Sequence, residues 1–285
     1  MLDCFKYVNH VGEVLEFGKD GLFANYNDLR DYSWNYDANK NRIENFKKGV
    51  VNKTIPVVIV AKTEEEGLLK KNQLFEIFEK DVIAEQAGKI IFGEYYPDER
   101  RIDGYYMECY VYASQKSEYL LDKRVLTTTI NIVSDTGNWF KETRHNFIYS
   151  ASIDKSGRGY EYGYEYDYAM SSGNTNRLKN EHFAPCHFVM KISGYAFEPS
   201  ITIGDHIYKV HETIQNNEIL TIDSKAKTII LTKSDGIQQV NLFSKRDRES
   251  YIFEKIPSGD LNVYWNSEFN FHITLYEERS EPKWI

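Results

Sequence analysis

Apolar and polar residues alternate along most of the chain with the period of two that is typical of β-strands. In the first half this pattern predicts a hairpin in the opening FKYVNHVGEVLEFG and a buried strand in TIPVVIVA, residues 54–61. Three further strands are predicted at residues 89–93, 105–113 and 125–133, where the sequence alternates or runs β-branched. The first half is therefore strand-rich.

One segment of the first half follows the helical period instead and predicts a helix at about residues 64–87. Thr63 is a good N-cap, and Glu66 three residues later completes a capping box. Gly88 supplies a stop signal. The apolar residues that recur at helical spacing are Leu68, Phe75, Phe78 and Val82. One helix among strands predicts an α+β first domain, which we end at residue 140.

The last hundred residues read as a series of hairpins. SITIGDHIYKV turns at residues 204–205, and the polar stretches SKAK, KSDG, PSGD and NSE separate the later strands. Strands are predicted in EILTID, TIILT, SYIFEKI, LNVYW and FNFHITLYEE. Short strands joined by regular turns are typical of an antiparallel β-sandwich. We therefore predict a mainly β chain whose second domain, residues 141–285, is a sandwich.

A long connection at about residues 144–187 contains RGYEYGYEYDY, in which every second residue is tyrosine. In an extended strand these tyrosines would share one face and the acidic residues the other. Tyr is suited both to protein interfaces and to stacking on sugar rings. The interface or glycan candidates are Tyr160, Tyr162, Tyr164, Tyr166, Tyr168 and Trp265. We favour packing against the sandwich or a neighbouring subunit, with sugar binding as the second interpretation.

Charge and cysteine content narrow the classes of function. The formal net charge of −8, without a basic stripe, argues against nucleic-acid binding. The amino terminus lacks a signal-peptide pattern, and no apolar run is long enough to span a bilayer, so we expect folding in a cytoplasm and no membrane partner. Cys4, Cys109 and Cys186 are an odd set at unrelated spacings, which favours thiols over disulfides.

The search for catalytic and metal-binding motifs is negative. The sequence has no nucleophile elbow, no zinc-protease helix and no phosphate loop. Its 43 acidic residues mostly fall in turns or on the outward side of strands, where solvent exposure is the ordinary explanation. His182, Cys186 and His187 lack the spacing of a structural zinc site. We therefore predict no catalytic residue, cofactor or metal.

The ordered set of local sequences resembles the distal tail protein family of long-tailed phages and prophages of Gram-positive bacteria. In the first half the resemblance lies in VLEFG, NQLFEIFEKDVIAEQAGKIIFGEYY, KSEYL and INIVSDTGNWFKE. In the second half it lies in FEPSITIGDHIYKV, EILTIDSKAKTIILTKSDG, FSKRDRESYIFEKIPSGDLNVYW and LYEERSEPKW. These segments cover nearly the whole chain in order. Relatives often carry a proline in the tyrosine-rich stretch, whereas this chain has none there.

The resemblance implies a split-barrel amino-terminal domain with one helix and a galectin-like carboxy-terminal sandwich. It implies a homo-hexameric ring at the tail tip that joins the tail tube protein to the tail-associated lysin or tip protein and carries receptor-binding proteins. The implied location is the virion tail tip, with assembly in the host bacterial cytoplasm. No enzyme activity is implied. The alternatives from other classes are a carbohydrate-binding module that recognises a cell-wall polysaccharide and, more remotely, a tail-borne glycosidase.

Overall fold

Alternating burial in the strands of the amino-terminal half follows directly from the sequence pattern. In β9 (Val125–Ser134) every second residue is buried, and the inward side chains include Leu126, Ile130 and Ile132. The computed structural model describes residues 4–121, 123–149, 177–266 and 269–284. These residues divide into two units, each with its own hydrophobic core.

The first unit comprises Met1–Glu142 together with Glu278–Ile285, and the second comprises Thr143–Glu277. The sequence-based division instead placed the last eight residues in the second domain. These residues lie in the first unit because they contact it: Arg30 donates a hydrogen bond of 3.3 Å to the Pro282 carbonyl. The Arg30 guanidinium also lies 4.2 Å from the ring centre of Trp284.

The first unit contains antiparallel strands and one α-helix. The elements are β1 (Phe5–Val8), β2 (Val14–Phe17), β3 (Leu22–Ala24), β4 (Asn35–Asn39), β5 (Arg42–Lys47), β6 (Val51–Val60), α1 (Glu64–Ala84), β7 (Gly88–Tyr96), β8 (Arg101–Leu121), β9 and β10 (Trp139–Phe147). β10 continues into the second unit. The predicted opening hairpin is confirmed as β1 and β2, which pair from Phe5–Phe17 to Val8–Val14.

β8 is long enough to take part in two sheet regions of the first unit. Its first part, Arg101–Cys109, pairs with β7, and its second part pairs with β9 from Tyr110 onward. β7 continues to β1 and β2, whereas β9 continues to β6 and β3. The side chains between these regions and α1 form one core that includes Trp139 and Met107.

The second unit contains the remaining strands. They are β11 (Arg177–Asn180), β12 (His187–Ser193), β13 (Ala196–Phe197), β14 (Ser200–Ile203), β15 (His206–Lys209), β16 (Thr213–Ile214), β17 (Ile219–Asp223), β18 (Thr228–Thr232), β19 (Gln239–Asn241), β20 (Gly259–Trp265) and β21 (Asn270–Arg279), with a 3₁₀ turn at Phe243–Lys245. β21 ends in the first unit.

Two antiparallel sheets of the second unit enclose its core. One has the order β19-β18-β17-β12-β21, and the other has the order β11-β20-β14-β15. Phe188 and Ile273 from the first sheet meet Ile203 and Val263 from the second in a single buried cluster. The mainly β fold and the predicted antiparallel sandwich are thus confirmed, and among the described residues α1 is the one α-helix.

Several predicted boundaries are corrected. The predicted strand SYIFEKI forms turns, apart from one bridge between Ile256 and Cys186. β10 extends to Phe147, into the segment predicted to be a long connection from about residue 144. The helix ends at Ala84 because Glu85 adopts a left-handed conformation with φ of 53° and its N–H bonds back to the helix. Gly88 therefore does not stop the helix but begins β7.

Candidate interaction surfaces

The orientation of α1 is fixed by a buried carboxylate. The Tyr7 hydroxyl donates a hydrogen bond of 2.6 Å to Oδ2 of Asp81, and the backbone N–H of His10 donates one of 2.8 Å to Oδ1. Nδ1 of His10 also lies 2.6 Å from Oδ1. Burial raises the pKa of Tyr7 far above its ordinary value, which keeps the hydroxyl protonated as a donor. These bonds turn one particular face of α1 towards the sheet.

That face is not the one that the apolar spacing in the sequence indicated. The buried side of α1 contains Leu74, Ile77, Phe78 and Asp81. Of the four apolar residues that predicted the helix, only Phe78 is buried; Leu68, Phe75 and Val82 are exposed. Each of these three follows a buried residue in the sequence, so each is rotated from the buried side by about 100°, the turn per residue of an α-helix.

The exposed residues Leu68, Phe75 and Val82 are spaced by seven and therefore form one stripe along α1. Leu69 and Ile83 are also exposed and extend the apolar surface beside it. Exposed apolar surface of this kind marks an interaction site more often than isolated exposed residues do.

A groove of about 380 Å³ lies between this stripe and the sheet. Phe75, Phe78 and Val82 line it from the helix, and Val111 and Leu126 line it from β8 and β9. The register of β8 against β9 shifts between residues 111 and 113. The groove is mainly apolar and belongs wholly to the first unit. We call the stripe and the groove together the α1 groove.

The β4–β5 hairpin is the second exposed apolar feature of the first unit. Tyr36 pairs with Phe46 across the hairpin, and Ala38 pairs with Ile43. Cross-strand partners and residues two apart share a face, so these four side chains lie on one side. The other side contains an ion pair of 2.5 Å between Asp37 and Lys47. The hairpin is therefore amphipathic.

None of the described residues covers the apolar face of the hairpin. Tyr36, Ile43 and Phe46 are 59%, 61% and 62% exposed. The pairing shifts between Tyr36 and Asp37, and Asn45 has a φ of 43°, so a bulge brings Ile43 and Phe46 to the same face although they are three residues apart. The pattern of apolar and polar residues did not predict this hairpin. The available signal for a hairpin was the turn sequence Asn-Lys-Asn at residues 39–41, which Tyr36 and Ala38 precede and Ile43 and Phe46 follow.

The tyrosine-rich segment with Tyr160, Tyr162, Tyr164, Tyr166 and Tyr168 lies outside the described residues. The remaining candidate, Trp265, is half-buried in the second unit. Its ring lies edge-on to Phe271 at 5.1 Å and to Phe147 at 6.2 Å between centroids. The indole therefore contributes to the core of that unit, and a glycan role for these six residues stays a prediction.

The histidine and cysteine side chains that the sequence singled out near residue 186 have polar neighbours of their own. Within the described part of the chain, no group of three His, Cys, Asp or Glu side chains could hold a metal ion. Nδ1 of His187 lies 3.2 Å from Oγ of Ser224, while Sγ of Cys186 lies 3.4 Å from Oδ1 of Asn180. The three cysteines form no disulfide with one another. Across the same described ranges, no helix is long and apolar enough to cross a bilayer.

Solved structures of phage tail components share this fold. One is the Dit protein of phage SPP1, described as a paradigm of the hub adsorption apparatus in phages that infect Gram-positive bacteria. It aligns with a TM-score of 0.60 and 10% sequence identity, and the alignment covers 97% of this chain and 100% of the Dit chain. A chain of the activated phage P2 baseplate with Ca gives 0.57 and 14% identity, over 96% of this chain and 98% of its own.

A third similar structure is the activated phage P2 baseplate with Sr, with a TM-score of 0.55 and 14% identity over 95% of this chain and 97% of the matched chain. No protein-family model and no curated protein matches the sequence. The resemblance to phage distal tail proteins is thus confirmed at the level of the fold, over both units.

Proposed function

We propose that this protein is a non-enzymatic structural hub of a phage or prophage tail tip or baseplate. The observation that carries the proposal is the fold, which matches the SPP1 Dit protein over 97% of this chain and the whole of that protein. The two P2 baseplate structures support the same role. The location that follows is the tail tip of the virion, after assembly in the cytoplasm of the bacterial host.

The two units have separate roles in this proposal. The first unit, the split-barrel-like part of the chain, forms a homo-hexameric ring that continues the tail tube. The second unit is a galectin-like sandwich that offers a platform for receptor-binding proteins. The ring joins the tube protein to the tail-associated lysin or tip protein. A ring requires a contact between two different surfaces of the subunit that closes on itself.

The surface of the first unit supports assembly. The α1 groove and the β4–β5 hairpin both expose large apolar and aromatic side chains, and exposed patches of this kind mark interaction sites. The net charge of −8 keeps the free subunit soluble and fits protein partners better than nucleic acid.

Two measurements test the proposal. Mass photometry and negative-stain images of the purified chain, alone and with the tube protein of the same phage, should show rings of about six subunits, as the proposed closed ring requires. Gold-labelled antibodies against the chain should mark the tail tip of the virion. The proposal is contradicted if the chain stays monomeric both alone and with the tube protein and the antibodies do not mark the virion tails.

A further inference from the structure

Three polar side chains from distant parts of the sequence meet in the first unit. Nζ of Lys48 donates a hydrogen bond to Oδ1 of Asn138, and Nδ2 of the same asparagine donates one to Oε1 of Glu278. The lysine and the asparagine are 90 positions apart in the chain, and the asparagine and the glutamate are 140 positions apart. The amide of Asn138 therefore lies between an amine and a carboxylate.

The surroundings of Lys48 favour the neutral amine. Burial lowers the pKa of Lys48 below its usual value; the charge of Glu278 opposes this shift and the charge of Lys53 adds to it. The ring of Trp34, whose centre lies 4.8 Å from Nζ, shields one side of the amine from water. The hydrogen-bond partner of Nζ is an amide oxygen rather than a carboxylate. A lysine with a lowered pKa is a nucleophile, because the neutral amine carries a free electron pair.

Asn138 is held in place as the group to be attacked. It is only 7% exposed, and its backbone N–H donates a hydrogen bond of 3.4 Å to Oγ1 of Thr136. Because its side chain is bonded at the oxygen by Lys48 and at the nitrogen by Glu278, the plane of the amide is fixed. Cγ is bonded directly to Oδ1, so Nζ reaches it by a small rotation of the lysine side chain. Holding two groups together in this way replaces a bimolecular encounter with a reaction inside one molecule.

We propose that Lys48 and Asn138 form an intramolecular isopeptide bond, with Glu278 as the group that transfers the proton. The neutral Nζ attacks Cγ of Asn138, and the carbonyl electrons move onto Oδ1 as the new C–N bond forms. Nζ loses a proton to the Glu278 carboxylate, which delivers it to Nδ2. The electrons on Oδ1 then restore the carbonyl, the Cγ–Nδ2 bond breaks, and ammonia leaves. A primary amine and a primary amide thus become a secondary amide and one ammonia, with no change of oxidation state.

The bond would close residues 48–138 into a covalent ring within the first unit. Such a closure stabilises a fold in the way a disulfide does, by limiting the conformations of the unfolded chain. Lys48 directly follows β5, so the bond also anchors the base of the exposed β4–β5 hairpin. It acts inside one subunit and does not depend on the role that we propose for the chain in a phage tail.

Mass spectrometry of the intact, denatured full chain is the direct test. The wild type should be lighter than its sequence mass by one ammonia. Trypsin does not cleave after an acylated lysine, so residues 48–53 and 125–141 should appear as one branched peptide joined between Lys48 and Asn138. A wild-type chain of full sequence mass overturns the proposal. An ammonia loss that maps to either peptide alone overturns it as well.

Variants of the three side chains assign their roles. Lys48→Arg and Asn138→Ala each lack a reacting group and should keep the full sequence mass. Lys47→Arg makes the same change one residue away, at a side chain that pairs with Asp37, and should lose ammonia like the wild type. Circular dichroism checks that each variant folds, and the wild-type mass decides the proposal even where a variant does not. Loss of ammonia from Lys48→Arg would overturn the bond.

Glu278→Gln tests the proton transfer. Glutamine keeps the shape of the side chain but cannot take up the proton from Nζ. After a pulse of isotope-labelled expression, the loss of ammonia should be slower than in the wild type by at least about a hundredfold, the usual effect of removing a general acid–base group. Equal rates in the two proteins would overturn the role of Glu278.

Discussion

The Tyr7 hydroxyl donates a 2.6 Å hydrogen bond to Oδ2 of Asp81, and this bond joins the first strand of the protein to α1 in the core of the first unit. Both side chains are buried. The Tyr7 ring also packs edge-on against Phe78 of the helix, with 4.9 Å between the centroids. The bond therefore belongs to the contacts that hold α1 with its apolar stripe facing outward.

Tyr7→Phe keeps the ring and removes the hydroxyl. The buried carboxylate of Asp81 then loses one donor, which costs about 1.5–3 kcal/mol for a hydrogen bond to a charged group. We expect the midpoint of urea unfolding of the first unit to fall with an unchanged slope. Tyr26→Phe makes the same chemical change at a 91% exposed site and should leave the midpoint in place. Equal midpoints for wild type and Tyr7→Phe would show that the bond contributes nothing.

Gly88 tests the same cluster from the strand side. A Cβ on Gly88 would overlap the Asp81 carboxylate and the Tyr7 hydroxyl, so only glycine fits beside them. We expect Gly88→Ala to destabilise the first unit by about 1–3 kcal/mol, the usual effect of overpacking a core.

Gly49→Ala is the matched control for this change. A Cβ on Gly49 would meet nothing closer than Nδ2 of Asn35, at 3.9 Å. Thermal unfolding of both variants separates packing from the general effect of replacing glycine. If the two alanine variants melt together, the close approach at Gly88 has no energetic consequence.

The amino-terminal cap of α1 was predicted from sequence and is confirmed. The Glu66 N–H donates a hydrogen bond of 3.2 Å to Oγ1 of Thr63, and the Lys62 N–H donates one of 2.8 Å to Oε2 of Glu66. Thr63→Ala should destabilise the first unit by about 1 kcal/mol, because one helix N–H loses its acceptor. Thr63→Ser keeps the acceptor and should restore most of the stability in the same melting experiment. A serine variant as unstable as the alanine variant would argue against the cap.

The structural features that depend only on interactions between residues close in sequence could be predicted from local sequence patterns. Thr63 and Glu66 form the cap within one turn, and the alternation in β9 gives its buried face without reference to any other strand. The hairpin of β14 and β15 follows its Gly204–Asp205 turn in the same way. The fold similarity to phage tail proteins was accessible from ordered local sequences even at 10–14% identity to the solved structures.

Features that depend on distant partners could not be predicted. The spacing of Leu68, Phe75 and Val82 is helical, but the side of α1 that is buried is set by Tyr7 and His10, which bind Asp81 from more than 70 residues away. In the sequence Gly88 indicates a helix stop, because glycine commonly follows the last turn of a helix. Its close approach to Tyr7 is visible only in three dimensions.

The β4–β5 hairpin was hidden for a local reason. Its bulge at Asn45 breaks the period of two, so Ile43 and Phe46 read as opposite faces of a strand although they share one. The candidate surface was therefore the part of the molecule least accessible from the pattern.

His272 in the second unit gives a dependence of stability on pH. Its pKa is lowered to about 4, chiefly because burial disfavours the charged ring and also because Arg144 and Lys191 repel it. In the unfolded chain the pKa of histidine is about 6.5. Between these values the unfolded state binds a proton that the folded state does not, so stability decreases as the pH falls from about 6.5 towards 4.

His272→Gln cannot take up this proton. The melting temperature of the second unit should therefore drop more between pH 7.5 and pH 5 in the wild type than in His272→Gln. Lys191→Gln removes one repelling charge but not the burial, so its drop should lie between the two. Equal drops in all three proteins would show that His272 titrates alike in the folded and unfolded states.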